Sequence, residues 1–512
     1  MKKPEHKPSG NSIMRMIFVG MSLIFQVGWI LVRVKWLNDY SELVSAVTGL
    51  LAVSVVLYLN SKNTNAAMKM PWIMLILAIP VLGLSMYLLF EILGDPGIGK
   101  RLRKARDQKV MDTPESAHRA FSNLKVSDPD AASQSCYLWH RAGYPVYENT
   151  AVRYFPEGKL ALEAMKQDLE KAEHFIFMEY FIVEDESSFR ELEDILVRKT
   201  QQGVEVRLMY DDIGSVGKVN MLFAKRLNEK GLRCIPFNPA LPILNLFMNH
   251  RDHRKITVID GKVGFTGGYN LADEYFDRTH PYGHWKDTGI RLEGEAVRSL
   301  TETFLELWSV QAGGREDIRQ YLTISHSVSA RGFVQPFADN PLEEERVAEN
   351  VYLNLIHQAR KSLWFITPYL IITDEMSHAL SLAAMRGVDV RIITPGIPDK
   401  KTVYAVTRSY YTGLVRNGVR IYEYTPGFCH AKQCICDGKM VSIGTSNLDY
   451  RSLYHHFENN VLLMGCDAVQ EIAADFEATF AQCREVTEQY RTPRGKAMGT
   501  WQYILRLFAP LM

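Results

Sequence analysis

The sequence predicts N-terminal transmembrane helices followed by an α/β body of two related lobes, each a mixed β-sheet flanked by helices and paired about a pseudo-twofold axis. Three observations predict this. Uncharged apolar stretches occupy much of the first hundred residues. Past residue 140, short apolar runs alternate with amphipathic ones in an order that repeats. Each repeat also carries His, Lys and Asp at identical spacing.

After a tail over 1–15, the apolar stretches cover 16–32, 43–59 and 71–90. Each approaches the roughly 20 residues that span hydrocarbon. In the third, Trp72 and Tyr87 stand where interfacial aromatics belong. A cleaved signal peptide is the rival for the first, but 32–36 (Val-Arg-Val-Lys-Trp) offers no small-residue cleavage site. Beyond the 16–93 membrane region, Lys100, Arg101, Arg103, Lys104, Arg106 and Lys109 make 94–140 a basic juxtamembrane linker. Such a cluster stays on the cytoplasmic side and attracts anionic lipid. The expectation is a multi-pass protein of the cell membrane with its catalytic body in the cytoplasm. Lys2, Lys3, Lys7 and Arg15 also argue for an inside N-terminus, so whether 16–32 crosses is left open.

Lys plus Arg number 59 against 58 Asp plus Glu, so no global charge argues for a nucleic-acid partner. The seven cysteines are odd in number and scattered, which fits a reducing compartment rather than a disulfide framework.

The body reads as one module written twice. Stretches 174–183 and 362–372 read as buried strands. Gly203-Val204-Glu205-Val206-Arg207 returns 184 residues later as Gly387-Val388-Asp389-Val390-Arg391. Gly231-Leu232-Arg233-Cys234-Ile235 is answered 187 residues on by Gly418-Val419-Arg420-Ile421-Tyr422. Near-constant spacing signals internal duplication, and two copies mean paired lobes, here 141–320 and 321–492, with an amphipathic tail over 493–512.

Each copy carries His-x-Lys-x4-Asp: His253, Lys255 and Asp260, then His430, Lys432 and Asp437. Gly267 and Asn270 follow the first His by 14 and 17 residues, and Gly444 and Asn447 follow the second by the same counts. Both motifs read as strand, Asp-Gly turn, strand. Alternation then puts His and Lys of each copy on one face. A tight two-residue hairpin places His253 opposite Gly268 and His430 opposite Thr445. Imidazole, ammonium and amide converge over small residues that let an anion approach closely. Asp260 and Asp437 belong to the catalytic motif by spacing, but as turn residues they are expected to be structural.

These paired motifs, with Gly-Gly-Tyr-Asn (267–270) and Gly-Thr-Ser-Asn (444–447), resemble the phospholipase D superfamily. With the apolar leader, the chain is similar to bacterial cardiolipin synthases nearly end to end. The phrases Asn249-His250-Arg251-Asp252-His253-Arg254-Lys255, Trp285-Lys286-Asp287-Thr288 and Arg451-Ser452-Leu453-Tyr454 carry the likeness. His455-His456 departs from it, since the family more often has a Leu-Asn or similar pair before Phe-Glu.

The resemblance implies phosphodiester exchange through a phosphohistidine, without metal or cofactor. By it, His253 is the nucleophile and His430 the general acid/base, an order that the near-symmetry of the lobes leaves open. Lys255, Lys432, Asn270 and Asn447 hold the phosphate. Asp287 in the first copy and Glu458 in the second orient the imidazoles. Donor and acceptor are both phosphatidylglycerol, and glycerol leaves; the partners are that lipid and the anionic membrane. The superfamily also contains phospholipases, phosphatidylserine synthases and nucleases. A nuclease needs a basic groove, which the neutral body does not announce. A non-catalytic scaffold conflicts with two complete motifs. Oligomeric state is not legible.

Two segments are expected to meet lipid or else to pack on the body: the apolar loop 241–248 and the tail 501–512. Cys429, Cys434 and Cys436 surround His430 as a zinc site would, yet their alternation on a strand reads as small core residues. Tyr210-Asp211-Asp212 reads as loop and helix-start capping rather than a cation site, and His280 and His284 as loop residues. No Walker-type loop is present.

Overall fold

The structure, a computed structural model, describes residues 42–93, 113–239, 250–313, 317–322, 326–491, 505–507 and 509–511, with Gly28 and Leu102. The stretch 16–32 (apart from Gly28), the basic cluster 100–109 (apart from Leu102) and the loop 241–248 lie outside the described residues.

The N-terminal region corrects the transmembrane expectation. Helices α1 (Glu42–Ser61), α2 (Ala66–Ala78) and α3 (Pro80–Leu93) form a small bundle. Among the described residues no helix is long and apolar enough to cross a membrane. The stretch 71–90 is not one straight rod. It breaks at Ile79–Pro80, where proline removes a helical N–H and its ring clashes with the preceding turn. The chain bends so tightly that a Cβ on Gly83 would lie 2.6 Å from Cα of Ile76. Trp72 and Tyr87, expected at opposite interfaces, pack edge-to-face at 5.8 Å. The bundle touches the body through Asn65, whose amide donates to Glu375.

The 94–140 linker is also more than a tether. Helix α4 (Glu115–Ser127) buries Ala117, Ala120, Phe121 and Leu124 at helical spacing, and α5 (Pro129–His140) buries Ala131, Ser135 and Leu138. They join the main core, and Gln335 of the second lobe donates to the carbonyls of Ser135 and Tyr144.

The first lobe runs β1 (Thr150–Phe155), α6 (Gly158–Leu169), β2 (Phe175–Tyr180), α7 (Ser187–Gln201), β3 (Glu205–Asp211), α8 (Phe223–Glu229), β4 (Arg233–Phe237), β5 (Arg251–Asp252), β6 (Lys255–Ile259), β7 (Val263–Gly267), β8 (His284–Lys286), β9 (Gly289–Gly294) and α9 (Val297–Gln311). The second runs β10 (Phe333–Asp339), α10 (Val347–Gln358), β11 (Ser362–Ile366), β12 (Leu370–Ile371), α11 (Asp374–Met385), β13 (Asp389–Pro395), α12 (Lys401–Arg416), β14 (Arg420–Tyr424), β15 (Gly427–Cys429), β16 (Gln433–Cys436), β17 (Met440–Gly444), β18 (Leu448–Asp449), β19 (His456–Met464), α13 (Ala468–Phe480), β20 (Cys483–Glu485) and α14 (Thr487–Arg491).

The sheet orders state the duplication directly. The first is β1-β9-β7-β6-β2-β3-β4; the second is β10-β19-β17-β16-β11-β13-β14, with β20 added at its edge. In each, the two strands flanking a helical crossover are parallel and the motif hairpin is antiparallel, giving mixed sheets. The expected strand 362–372 is two strands, β11 and β12, interrupted at Thr367-Pro368.

Both motif hairpins turn at Asp-Gly with both residues at positive φ (Asp260 53°, Gly261 64°; Asp437 52°, Gly438 64°). Strand pairing resumes one residue later than a plain two-residue turn would give, at Ile259↔Val263 and Cys436↔Met440. The expected partners across each hairpin are therefore displaced by one. The tail, where described, packs on the body: Leu505 and Ala509 are buried, and the Arg506 guanidinium lies 4.3 Å over Tyr410.

Candidate active site

Two short strand pairs join the lobes and position everything else. Strand β5, just before His253, runs parallel to the start of β19 in the other lobe, with Arg251 opposite His456 and Asp252 opposite Phe457. Strand β15, just before His430, runs parallel to β8 in the first lobe, with Cys429 opposite Lys286. Each pair ends in one more backbone bond: the His253 amide donates to the Phe457 carbonyl at 2.9 Å, and the His430 amide to that of Lys286 at 2.8 Å. Each catalytic-motif imidazole is thus set beside a carboxylate that comes from the other copy.

His253 Nδ1 lies 2.9 Å from both carboxylate oxygens of Glu458. His430 Nδ1 lies 2.7 Å from Asp287 Oδ2. The sequence places these carboxylates but not their pairing, which is crossed. The small residues cross as well. Gly268, expected opposite His253, sits where a Cβ would meet Asp287 at 2.1 Å and the His430 carbonyl at 3.1 Å. Thr445, expected opposite His430, donates its hydroxyl to Glu458, the partner of His253.

The lysines stand over this junction. Lys255 Nζ donates to the His253 carbonyl at 2.5 Å, and Lys432 donates to that of His430. Lys432 Nζ also lies 2.8 Å from His430 Nδ1, a nitrogen that Asp287 already claims. An ionised carboxylate can only accept, so the Nδ1 proton points to Asp287 and the carbonyl bond is the one Lys432 keeps. Asn270 accepts at its side-chain oxygen from the Ile182 amide at 3.0 Å, and Asn447 lies buried beside Asp449.

All four central groups are buried, and burial is the largest cause of their shifts. His253 is held well below the usual imidazole range by burial, then by the charges of Lys255 and the neighbouring cations. His430 is pushed down to about 4 by burial and Lys432. Lys255 falls to about 7 and Lys432 to about 8, again through burial, partly offset by Glu458 and Asp287. Burial pushes Glu458 up, and the Lys255 charge opposes it. The site is therefore a desolvated cluster of nitrogen groups whose charged forms burial disfavours.

Asp260 and Asp437, counted with the catalytic motif in the sequence, face away from this chemistry. Asp260 accepts from the amides of Glu173, His174 and Phe175 at 2.7–2.8 Å. Asp437 accepts likewise from Arg360, Lys361 and Ser362 at 2.7–2.9 Å. Each ties the hairpin turn to the start of the strand beside it. Asp211 does more than cap: it grips the Arg251 guanidinium through two nitrogens and accepts from the Asp252 amide, anchoring β5. His284 lies in β8 with Nδ1 2.9 Å from the Tyr424 hydroxyl, and His280 pairs with Asp277. Cys429, Cys434 and Cys436 are buried free thiols.

Sequence reasoning missed three contributors. Asn459 accepts from the Lys255 amide and donates to Thr266, pinning one lobe's motif to the other. Gln433 donates to Thr288 at 2.7 Å and to the Tyr154 hydroxyl at 3.1 Å across the same junction. The His456 ring lies 5.5 Å from that of His253, tilted by 41°. A signal existed for the first, because Glu458-Asn459 repeats the Asp287-Thr288 step.

A duplicated mixed-sheet fold in which each lobe gives one His and one carboxylate, paired crosswise at the junction, defines the class: a phospholipase D superfamily protein. Within it the chain belongs to the cardiolipin synthase family. The family model described as "Cardiolipin synthase, PLD-like domain" matches residues 165–308 and 352–480. A second, "Phospholipase_D-nuclease N-terminal", matches 47–91. A cardiolipin synthase of Halalkalibacterium halodurans is 33% identical, covering 96% of this chain and 98% of the relative. Cardiolipin synthase 2 of Bacillus cereus is 35% identical over 88% of each. An uncharacterized protein of Streptococcus mutans is 43% identical over 90% of this chain and all of the relative. Among solved structures, a phosphatidylserine synthase of Haemophilus influenzae superposes with a TM-score of 0.51 at 16% identity, covering 70% of this chain and 93% of that one, which is a likeness of fold. The chain is accordingly a phosphatidyltransferase of phospholipid biosynthesis.

Proposed function

We propose that this enzyme makes cardiolipin by moving a phosphatidyl group from one phosphatidylglycerol to another, with release of glycerol and through a phosphohistidine. The observation that carries the reading is the crossed pairing: one imidazole from each lobe, each held at Nδ1 by the other lobe's carboxylate. That bond leaves Nε2 with a lone pair for phosphorus or for a proton.

His253, held neutral by burial, is the nucleophile. His430 protonates the departing glycerol oxygen and then takes the proton of the incoming hydroxyl. The two lysines and the amide NH2 groups of Asn270 and Asn447 hold the equatorial phosphoryl oxygens. An arriving phosphodiester adds a negative charge, which favours the charged form of both lysines and lifts the pKa of His430 toward its working range.

The substrate is a lipid, and the N-terminal bundle supports access from a membrane surface. Val47, Leu50, Val53, Leu57, Met70 and Leu77 turn outward on it, at exposures up to 72%. A surface of this kind calls for lipid or protein cover; lipid is the cover proposed.

The test is a product assay with full-length enzyme in phosphatidylglycerol vesicles, comparing wild type with His253→Ala and His430→Ala. Glycerol release with a four-chain lipid, absent in both variants, is expected. Accumulation of phosphatidic acid would make water the acceptor and the enzyme a phospholipase.

A further inference from the structure

His456 is unexplained by the phosphoryl-transfer reading. It opens β19 two residues before Glu458, and its ring lies 5.5 Å from that of His253 and 6.3 Å from Phe181. It is only 9% exposed, yet neither ring nitrogen has a hydrogen-bond partner. Buried polar atoms are ordinarily satisfied, so an unsatisfied imidazole aimed at other ligating groups marks a place for something else.

The other groups are at hand. One ligating atom each from His253, His456 and Glu458 lie within 4.8 Å of one another. Glu458 Oε1 is 2.9 Å from His253 Nδ1 and 3.9 Å from His456 Nδ1. Around a tetrahedral cation with bonds of about 2.0–2.1 Å, ligand atoms stand roughly 3.3 Å apart. The observed separations straddle that value, and small side-chain rotations close the set. Two imidazoles and a carboxylate form a donor set suited to a borderline divalent ion, with a fourth position left for water or a phosphoryl oxygen. Phe181, over the His253 ring at 4.9 Å, supplies an apolar wall.

We infer that His253, His456 and Glu458 form a zinc site that switches the enzyme off. Coordination through Nε2 of His253 takes the nucleophilic lone pair directly. Coordination through Nδ1 moves the ring's proton to Nε2, which removes the same lone pair. Either way, the cation also draws Glu458 from its orienting role. The cation is an inhibitor drawn from solution. The binding claim stands on geometry alone; the inhibitory consequence rests on the proposed role of His253.

The experiment uses full-length, metal-stripped protein, ZnCl2 or CoCl2 as the only added ligand, and His456→Asn. Calorimetry is expected to show one zinc per wild-type chain. His456→Asn removes one of three protein ligands and is expected to bind more weakly by at least the roughly 10–100-fold that loss of an outer partner costs. Cobalt should give tetrahedral d–d bands without thiolate charge transfer. Phosphatidyl transfer should fall with zinc occupancy in wild type, recover with chelator, and resist zinc in the variant. If His456→Asn does not fold, His456→Gln serves, with the cobalt spectrum of wild type as an independent reading. Equal affinity in wild type and variant, or thiolate bands that put the metal on cysteine, overturns the site. Zinc binding that depends on His456 in a protein inactive on phosphatidylglycerol upholds the site and removes the proposed function instead.

Discussion

The two lobes share strand order, hairpin turn and motif spacing, yet they surround their imidazoles differently. His430 is ringed by Tyr275, Trp285 and Phe428, with centroids 5.2–5.8 Å away. His253 has Phe181 at 4.9 Å and a second imidazole, His456, at 5.5 Å, those two rings lying 6.3 Å from each other. Its carboxylate is the longer Glu458, which touches Nδ1 with both oxygens, whereas Asp287 uses one. Duplication supplied two equal frames. The side chains packed around each frame give the two imidazoles different surroundings, as the proposed division between nucleophile and acid requires.

The sharpest way to break that comparison is to remove one imidazole at a time. His253→Ala and His430→Ala should each lose on the order of 10³-fold or more in turnover. The variants should still differ. His430→Ala quenched with denaturant at neutral pH should carry a phosphatidyl group on the peptide that contains His253, and His253→Ala none. Label on the His430 peptide instead would reverse the assigned roles.

Next comes the crossed pairing. Glu458→Gln and Asp287→Asn should each cost about 10²–10³-fold by favouring the wrong tautomer of the opposite lobe's imidazole. Glu458→Gln should therefore match His253→Ala in failing to form the intermediate. A Glu458→Gln enzyme that forms it at the normal rate would contradict the pairing.

A smaller effect tests the lysines. Sulfate keeps its charge across neutral pH, so its affinity reports the charge of the pocket. Lys255 at about 7 and Lys432 at about 8 are charged below those values and lose charge above them. Anion binding should thus be strongest below pH 7 and weaken by up to about tenfold per unit per lysine as pH rises. Lys255→Arg keeps its charge, so calorimetry should find its decline set by Lys432 alone. An unchanged pH profile in that variant would remove Lys255 from the anion site.

The smallest effect on chemistry is expected at the turn aspartates. Asp260→Ala and Asp437→Ala each leave three strand-start amides without a carboxylate, costing about 2–4 kcal/mol of stability. Denaturation midpoints should fall while the folded fraction turns over within about twofold of wild type. A large loss of turnover with unchanged stability would return these residues to the catalytic set.

Much of this was legible in one dimension. The duplication, the two motif hairpins and the positions of the paired His, Lys and Asn follow from spacing and strand period, because those patterns are local, whereas Asp287 and Glu458 came only from the family resemblance. Structural turn aspartates follow from the Asp-Gly pair. The one-residue shift in both hairpins did not, since register depends on how Lys262 and Lys439 close the turn. Nor did the fold-back at Pro80: a hydropathy run records composition, while Trp72 meeting Tyr87 depends on backbone direction.

What the sequence by itself determined is therefore the inventory of each lobe. Only the tertiary structure decided which carboxylate serves which imidazole, because β5 pairs with β19 and β15 with β8 across the junction. The same crossing brings Gly268 to His430, Thr445 to Glu458, and a third imidazole to His253. The physical reason is that a strand's side-chain period fixes which face a residue shares, whereas the partner it meets there is set by backbone hydrogen bonds between segments some two hundred residues apart.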